Sequence, residues 1–129
     1  MKIVHSREES IDRSDQGLEA LRLVHRQKGA KHMTAGIATF KPGASVILHT
    51  HPCEETVIII EGKATAEING KLFHLDKYDA TIVPPLVPHC FHNHSHDPMV
   101  IAYFYPEVDV RRDPVERTVD QKKQRRMIP

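Results

Sequence analysis

The sequence contains no tryptophan, only 5% aromatic residues and only two cysteines among 129 residues. Cys53 and Cys90 are too few for a disulfide framework, and free thiols are favoured over a bridge between them. No apolar run is long enough to cross a bilayer, and the charged N-terminus has no apolar signal core. These absences argue against a disulfide-rich secreted scaffold and a membrane protein, and they favour a cytoplasmic location.

The chain also has little excess charge of either sign. Eighteen lysines and arginines against 17 acidic residues give a formal net charge of +1, so no nucleic-acid or membrane partner is expected. The segment 120–126 is basic, but a solvated terminus is favoured there over a nucleic-acid-binding arm. The length and the 40% apolar content predict one globular domain with its own core.

Histidine is the abundant residue, with ten in the chain. His49 and His51 are two residues apart, so an extended strand places both imidazoles on one face. Glu55 follows after a turn that contains a proline. Imidazole and carboxylate together suit divalent ions of the Mn, Fe, Co or Ni type. The spacing therefore predicts a metal site that needs a further ligand, for which the later His89 is the best candidate.

Short β-branched and alternating segments between turn residues predict an all-β fold, either a barrel or a double-sheet jelly roll. The predicted strands are residues 33–40, 56–60, 64–68, 71–75, 80–83, 89–93 and 100–105. Asn69-Gly70 predicts a tight hairpin. Residues 18–26 suit either a short helix or a strand, and their alternation favours the strand. Ile3 and Val4 form a possible short edge strand.

The stretch from residue 43 to residue 62 resembles the first motif of the cupin family, G-x5-H-x-H-x3-E-x6-G. All five fixed positions are present: Gly43, His49, His51, Glu55 and Gly62. The phrase Phe-Lys-Pro-Gly at residues 40–43 is also typical of that family. The resemblance covers residues 33–105 and implies the cupin double-stranded β-helix, a jelly-roll barrel.

The second cupin motif, G-x5-P-x-G-x2-H-x3-N, is only partly kept. Pro84, His89 and Asn93 are in place, whereas Tyr78 and Leu86 replace the two glycines. Glycine at such a position usually serves a turn with positive φ, so Leu86 predicts either a different turn or a strained one. Strand parity predicts that the side chain of residue 89 points into the barrel and that its neighbour at residue 90 points away.

The resemblance implies one metal ion held by three histidines and one glutamate. Iron, manganese or nickel is favoured and zinc is possible. The implied ligands are His49, His51, Glu55 and His89.

Two alternative metal ligands come from the sequence itself. His92, His94 and His96 alternate after the motif and form a rival cluster, although a polar turn is favoured there. Cys53 could approach the ion from the loop between two of the implied ligands.

The domain plan is an N-terminal extension with edge strands at residues 1–32, a cupin barrel at 33–108 and a polar tail at 109–129. Thr56, Ile58 and Ile60 would lie on the outer face of a barrel strand and need cover. A second subunit would supply it, which predicts a homodimer. The protein's own termini are the alternative cover.

The resemblance implies a small metalloenzyme of the dioxygenase or lyase type. Its substrate would be a small polar or anionic metabolite that chelates the ion inside the barrel. The alternative is a non-catalytic binding or sensing module, because cupins host both. Candidates for a catalytic proton-transfer group are Tyr103, Tyr105 and His74.

Overall fold

Strands make up nearly all of the regular structure in the computed structural model, which describes residues 1–117 and residue 122. They are β1 (Leu18–Val24), β2 (Thr34–Phe40), β3 (His49–Thr50), β4 (Glu55–Glu61), β5 (Ala64–Ile68), β6 (Lys71–Leu75), β7 (Ala80–Val83), β8 (His89–His92), β9 (Met99–Tyr105) and β10 (Asp113–Pro114). Single 3₁₀ turns occur at Ser6–Glu8 and Arg26–Lys28. Within this described part, no helix has the length and apolar character needed to span a bilayer.

The strands form two five-stranded sheets in which all pairings are antiparallel. One sheet has the order β1-β2-β9-β4-β7 and the other has the order β10-β3-β8-β5-β6. The core lies between the sheets and includes Phe40, Val57, Ile59, Phe91 and Met99, each at most 2% exposed. The predicted all-β jelly-roll barrel is therefore confirmed.

Residues in the left-handed backbone region mark three tight turns. Asn69 and Gly70 have φ values of 51° and 78° and connect β5 to β6, as the hairpin signal predicts. Tyr78 and Leu86 have φ values of 72° and 67°, so the turns keep the conformation that suits glycine. Each side chain costs about 1–2 kcal/mol in that region. The strained alternative at Leu86 is the one observed, and its N–H donates to the His51 carbonyl at 2.8 Å.

The N-terminal region differs in part from the prediction. Leu18–Val24 is a strand, as the alternation favours, and it lies at the edge of the first sheet. Ile3 and Val4 form no strand, so that prediction was wrong. Ile3 is 66% exposed. A segment of two residues is stable as a strand only when a neighbouring strand supplies backbone hydrogen bonds, and Ile3 and Val4 have no such neighbour in the described part of the chain.

The polar segment that begins at residue 109 carries more structure than its composition suggests. Asp113–Pro114 pairs with His49–Thr50, and the Val115 N–H donates to the Leu48 carbonyl at 3.0 Å. The division into residues 1–32, 33–108 and 109–129 stays a prediction. Apart from Lys122, the basic segment 120–126 lies outside the described residues.

The outer face of β4 remains partly open to solvent. Thr56 and Ile58 are half-buried, Ile60 is 36% exposed, and Ile82 on the adjacent β7 is 70% exposed. The face therefore still has apolar area to bury. Cover by a second subunit stays a prediction.

Candidate metal centre

The four implied ligands come together on the inner side of the barrel, at one end of the second sheet. His49 lies on β3 and pairs in register with His89 on β8. His51 follows β3, and Glu55 is the first residue of β4. All four residues are at most 5% exposed. The imidazole ring centroids are 4.4–5.2 Å apart, and one nitrogen from each histidine lies within 4.8 Å of the other two.

Each of the three imidazoles is oriented by a backbone carbonyl that accepts from Nδ1. The pairs are His49 with Ile47, His51 with Arg111 at 2.9 Å, and His89 with Val87 at 2.9 Å. Because a carbonyl oxygen only accepts, Nδ1 carries the hydrogen in each ring and Nε2 is left as the metal-binding atom. Such hydrogen bonds to the distal nitrogen are the usual support of metal-bound histidines. The donor set therefore fits a divalent ion.

Glu55 and His89 form a buried pair inside this group. Glu55 Oε1 is 2.9 Å from His89 Nε2, and Glu55 Oε2 is 3.9 Å from His51 Nε2. Burial favours the neutral acid, but the hydrogen bond from His89 holds the pKa of Glu55 below its usual range. Burial also opposes the imidazolium, yet the same carboxylate raises the pKa of His89. In the metal-free protein these two groups therefore share a proton, and both would be available to hold a cation.

The pKa of His49 is lowered, whereas that of His89 is raised. Burial lowers the pKa of His49 from 6.5 to about 4, with smaller contributions from the neighbouring imidazoles. A histidine with a depressed folded-state pKa stabilises the fold above pH 6.5, and that stability is lost as the pH falls toward 4.

We therefore expect His49 to make the metal-free protein less stable by about 2 kcal/mol at pH 5 than at pH 7. Urea unfolding of the metal-free wild type and of His49→Gln at both pH values measures this contribution to the free energy of unfolding. The variant should show a pH difference smaller by about that amount. Equal pH differences in the two proteins would show that His49 is not buried in its neutral form.

A cavity of about 650 Å³ is lined by three of the four candidate ligands, His49, His51 and Glu55. Its inner wall is apolar and aromatic and includes Phe40, Val57, Phe91, Ile101 and Tyr103. Charged residues, among them Asp12, Asp15, Arg22, Arg111 and Arg112, complete the lining. The cavity is large enough for a small metabolite next to the ligand cluster.

Tyr105 is the aromatic residue in closest contact with the ligands. Its hydroxyl is 3.2 Å from His51 Nε2. Since Nδ1 of His51 carries the hydrogen, Nε2 is an acceptor for this hydroxyl, and the Glu55 carboxylate is a second acceptor within its reach. Burial, reinforced by the charge of Glu55, raises the pKa of Tyr105 far above its ordinary value. Tyr105 is therefore a neutral hydrogen-bond donor on the cavity wall.

The two other candidates for proton transfer lie in different surroundings. Tyr103 lines the cavity, and burial raises its pKa. Gly36 makes room for this ring, because a Cβ there would be 2.4 Å from the Tyr103 hydroxyl. His74 lies exposed on β6, outside the cavity lining, with Nδ1 3.4 Å from the Thr65 hydroxyl.

The remaining histidine and cysteine candidates are not part of this centre. Cys53 and Cys90 are buried free thiols, and neither lines the cavity. His92 and His94 stack with ring centroids 5.3 Å apart. In the described residues, the possible ligand group that contains His92 is completed by Glu67 and Cys90, not by His94 and His96.

The contribution of the C-terminal segment was missed at the sequence level. The Arg111 carbonyl fixes the ring of His51, and β10 pairs with the strand that carries His49. Arg22 also reaches the cavity lining from the first strand. The alternation of Leu18, Ala20 and Arg22 on one face of β1 is the signal that could have indicated it.

The comparisons with known proteins agree with this architecture. The family model described as the cupin domain matches residues 36–105. The chain belongs to the cupin family. An uncharacterized protein (MJ1618) of Methanocaldococcus jannaschii is 31% identical over 81 residues, which is 61% of this chain. The matched region spans 64% of that relative, less than two thirds of its length.

Solved cupin-like structures share the fold at low sequence identity. The polyketide cyclase RemF from Streptomyces resistomycificus is 18% identical with a TM-score of 0.79, and the match covers 98% of this chain and 94% of that chain. The oxalate decarboxylase from Lactobacillus farciminis is 17% identical with a TM-score of 0.78. That match covers 86% of this cupin and 35% of the decarboxylase. At these identities the likeness concerns the fold alone.

Proposed function

We propose that this cupin is a metal-dependent enzyme of the dioxygenase or lyase type, with a small polar or anionic metabolite as its substrate. The ion would be held by His49, His51, Glu55 and His89. The observation that carries the proposal is the convergence of three imidazoles, each held by a backbone carbonyl at Nδ1, beside Glu55. Three of these four residues, His49, His51 and Glu55, line an open cavity. A structural ion would not need that adjacent space.

The donor set favours iron, manganese or nickel, and zinc is also compatible with it. When bound, the ion would supply Lewis acidity or activate dioxygen. Solved structures of the same fold include a polyketide cyclase and an oxalate decarboxylase by name, so the fold is compatible with a catalytic role.

The residues of the cavity suggest how a substrate would be held. The apolar wall around Phe91 and Val57 excludes water from the inner end. Arg112 and Arg111 at the lining are paired with Asp15 and Asp113, respectively. Arg22 forms no salt bridge within 4.0 Å in the described part of the chain, and it acts on Asp12 only through its charge, which lowers the pKa of that carboxyl. Its guanidinium is thus available for an anionic group of the substrate.

The proposal is tested with protein purified without added metal and then loaded with Fe(II), Mn(II) or Ni(II). Oxygen uptake and substrate loss are followed with a panel of small hydroxy, oxo and dicarboxylic acids, with and without oxygen. Oxygen-dependent loss indicates a dioxygenase, and oxygen-independent loss indicates a lyase. Metal-dependent binding of an acid without turnover would overturn the enzymatic proposal in favour of a binding module.

Tyr105→Phe should slow turnover by about 10- to 100-fold while metal content stays unchanged, because a neutral donor beside the reacting groups is removed. Steady-state kinetics with the acid identified in the panel, together with metal analysis, measures both quantities. Tyr78→Phe is the matched control, since the Tyr78 side chain is 72% exposed and outside the cavity. Equal rates for Tyr105→Phe and the wild type would exclude a catalytic contribution of this hydroxyl.

A further inference from the structure

A second group of possible metal ligands lies on the opposite face of the second sheet. Glu67 on β5 pairs in register with Cys90 on β8, and His92 follows two residues later on the same face. The three residues are 4%, 0% and 1% exposed, respectively. Burying a carboxylate, a thiol and an imidazole together is costly unless they share strong partners. This group is therefore more than a solvated strand face.

The ligand atoms of this cluster lie close to the separations found around a metal ion. Cys90 Sγ is 3.0 Å from Glu67 Oε2 and 3.2 Å from His92 Nε2, and the last two atoms are 3.9 Å apart. Ligand atoms around a tetrahedral zinc ion lie roughly 3.4–3.8 Å apart, given its bond lengths. Adjustments below about 1 Å would bring the three atoms to those separations. The Ser45 hydroxyl, 2.7 Å from His92 Nδ1, directs Nε2 toward the cluster.

A cationic group already occupies this position. The Arg117 guanidinium hydrogen-bonds to Glu67 Oε2 and lies 3.3 Å from Cys90 Sγ. Among the described residues, Arg117 Nε is buried without a hydrogen-bond partner, so the guanidinium is only partly satisfied. Arg117 lies just beyond β10, and its side chain is 18% exposed, which gives it a path to solvent.

The charge balance also permits an exchange of cations. The Glu67 carboxylate and the Arg117 guanidinium have no net charge as a pair. A divalent ion bound to one carboxylate and one thiolate also has no net charge. Binding would form a metal–sulfur bond and break the Cys90 S–H bond, with the proton released to solvent and no change in oxidation state. The mixed sulfur, nitrogen and oxygen donors suit zinc better than manganese or magnesium.

We propose that Glu67, Cys90 and His92 form a second metal site that binds a thiophilic divalent cation of the zinc type in exchange for the Arg117 guanidinium. This site is separate from the cavity centre, since its ligands lie on the other face of the sheet. Arg117 acts there as a built-in competitor of the ion. The inference does not depend on the catalytic role of the cavity.

Cobalt(II) is the probe, because thiolate ligation gives an intense near-ultraviolet charge-transfer band that nitrogen and oxygen ligands do not. We expect this band in the wild-type chain. It should be lost in Cys90→Ser and kept in the matched control Cys53→Ser. Arg117→Gln should bind cobalt about 10-fold more tightly at this site, since the competing cation is gone. His51→Ala should keep the band, which separates this site from the cavity centre.

The proposal is overturned if saturating cobalt gives no thiolate band in either the wild type or Arg117→Gln. It is equally overturned if the band survives in Cys90→Ser. Either result would mean that Glu67, Cys90 and His92 form only a buried polar cluster in which Arg117 pairs with Glu67. Circular dichroism of each variant confirms that the barrel is folded before the titration.

Discussion

His49→Ala should lower the affinity of the cavity centre for a divalent ion by at least about 100-fold, because it removes a whole ligand. Of the four candidate ligands, His49 can be replaced with the least disturbance of the other three. His49 makes no ion pair with Glu55, whereas the loss of His89 would leave that buried carboxylate without its closest partner. The variant should therefore stay folded. Metal analysis and manganese titration measure the loss, and circular dichroism monitors the barrel.

His32→Ala is the control for this experiment, since His32 is exposed and lies outside the cavity lining. Its metal content should equal that of the wild type. If His49→Ala kept its metal while folded, the assignment of the cavity centre would be wrong. Loss of metal in both variants would point instead to non-specific binding by surface histidines.

Gly62→Ala should destabilise the barrel by about 2–5 kcal/mol. Gly62 has a φ of 79°, where a side chain costs about 1–2 kcal/mol. A Cβ at this position would also be 2.4 Å from the Pro98 carbonyl oxygen and 3.2 Å from Met99 Cα. These contacts are backbone atoms at the start of β9, so the strand itself must shift, and that costs about 1–3 kcal/mol more. Urea unfolding measures the difference.

Gly43→Ala supplies the matched comparison. Gly43 is the other glycine of the first motif and has a nearly equal φ of 82°, but no atom lies within 4 Å of its Cβ position. Only the left-handed strain of about 1–2 kcal/mol is expected there. If the two substitutions destabilise the protein equally, the short distance between the Gly62 Cβ position and Pro98 adds nothing to the cost of a side chain at residue 62.

The sequence was most informative where a local rule and a side-chain pattern agreed. The Asn69-Gly70 signal predicted a hairpin whose strands have the observed bounds. Parity along β8 predicted that His89 points into the barrel and that Cys90 faces away, and in the structure Cys90 contacts Glu67. The spacing of His49, His51 and Glu55 predicted a group of candidate ligands, and these three side chains lie together in the structure. Strand geometry fixes which face a side chain takes, which is why this part was predictable.

The features that the sequence did not reveal depend on contacts between distant segments. The Arg111 carbonyl that orients His51 is a backbone group 60 residues away, so no side-chain pattern reports it. The cluster around Cys90 needs the register between β5 and β8, which places Glu67 opposite it. His92 was instead grouped with His94 and His96 by alternation along a segment that leaves the strand after His92. Periodicity cannot indicate where a strand ends.

Metal-edge X-ray absorption on the wild-type chain loaded with one equivalent of Mn(II) tests the central claim most directly. Manganese disfavours thiolate, so it should report on the cavity centre alone. The account predicts scattering from three imidazoles and from oxygen ligands, with no sulfur. A spectrum with fewer than three imidazoles would show that His49, His51 and His89 do not converge on one ion, and it would contradict the account.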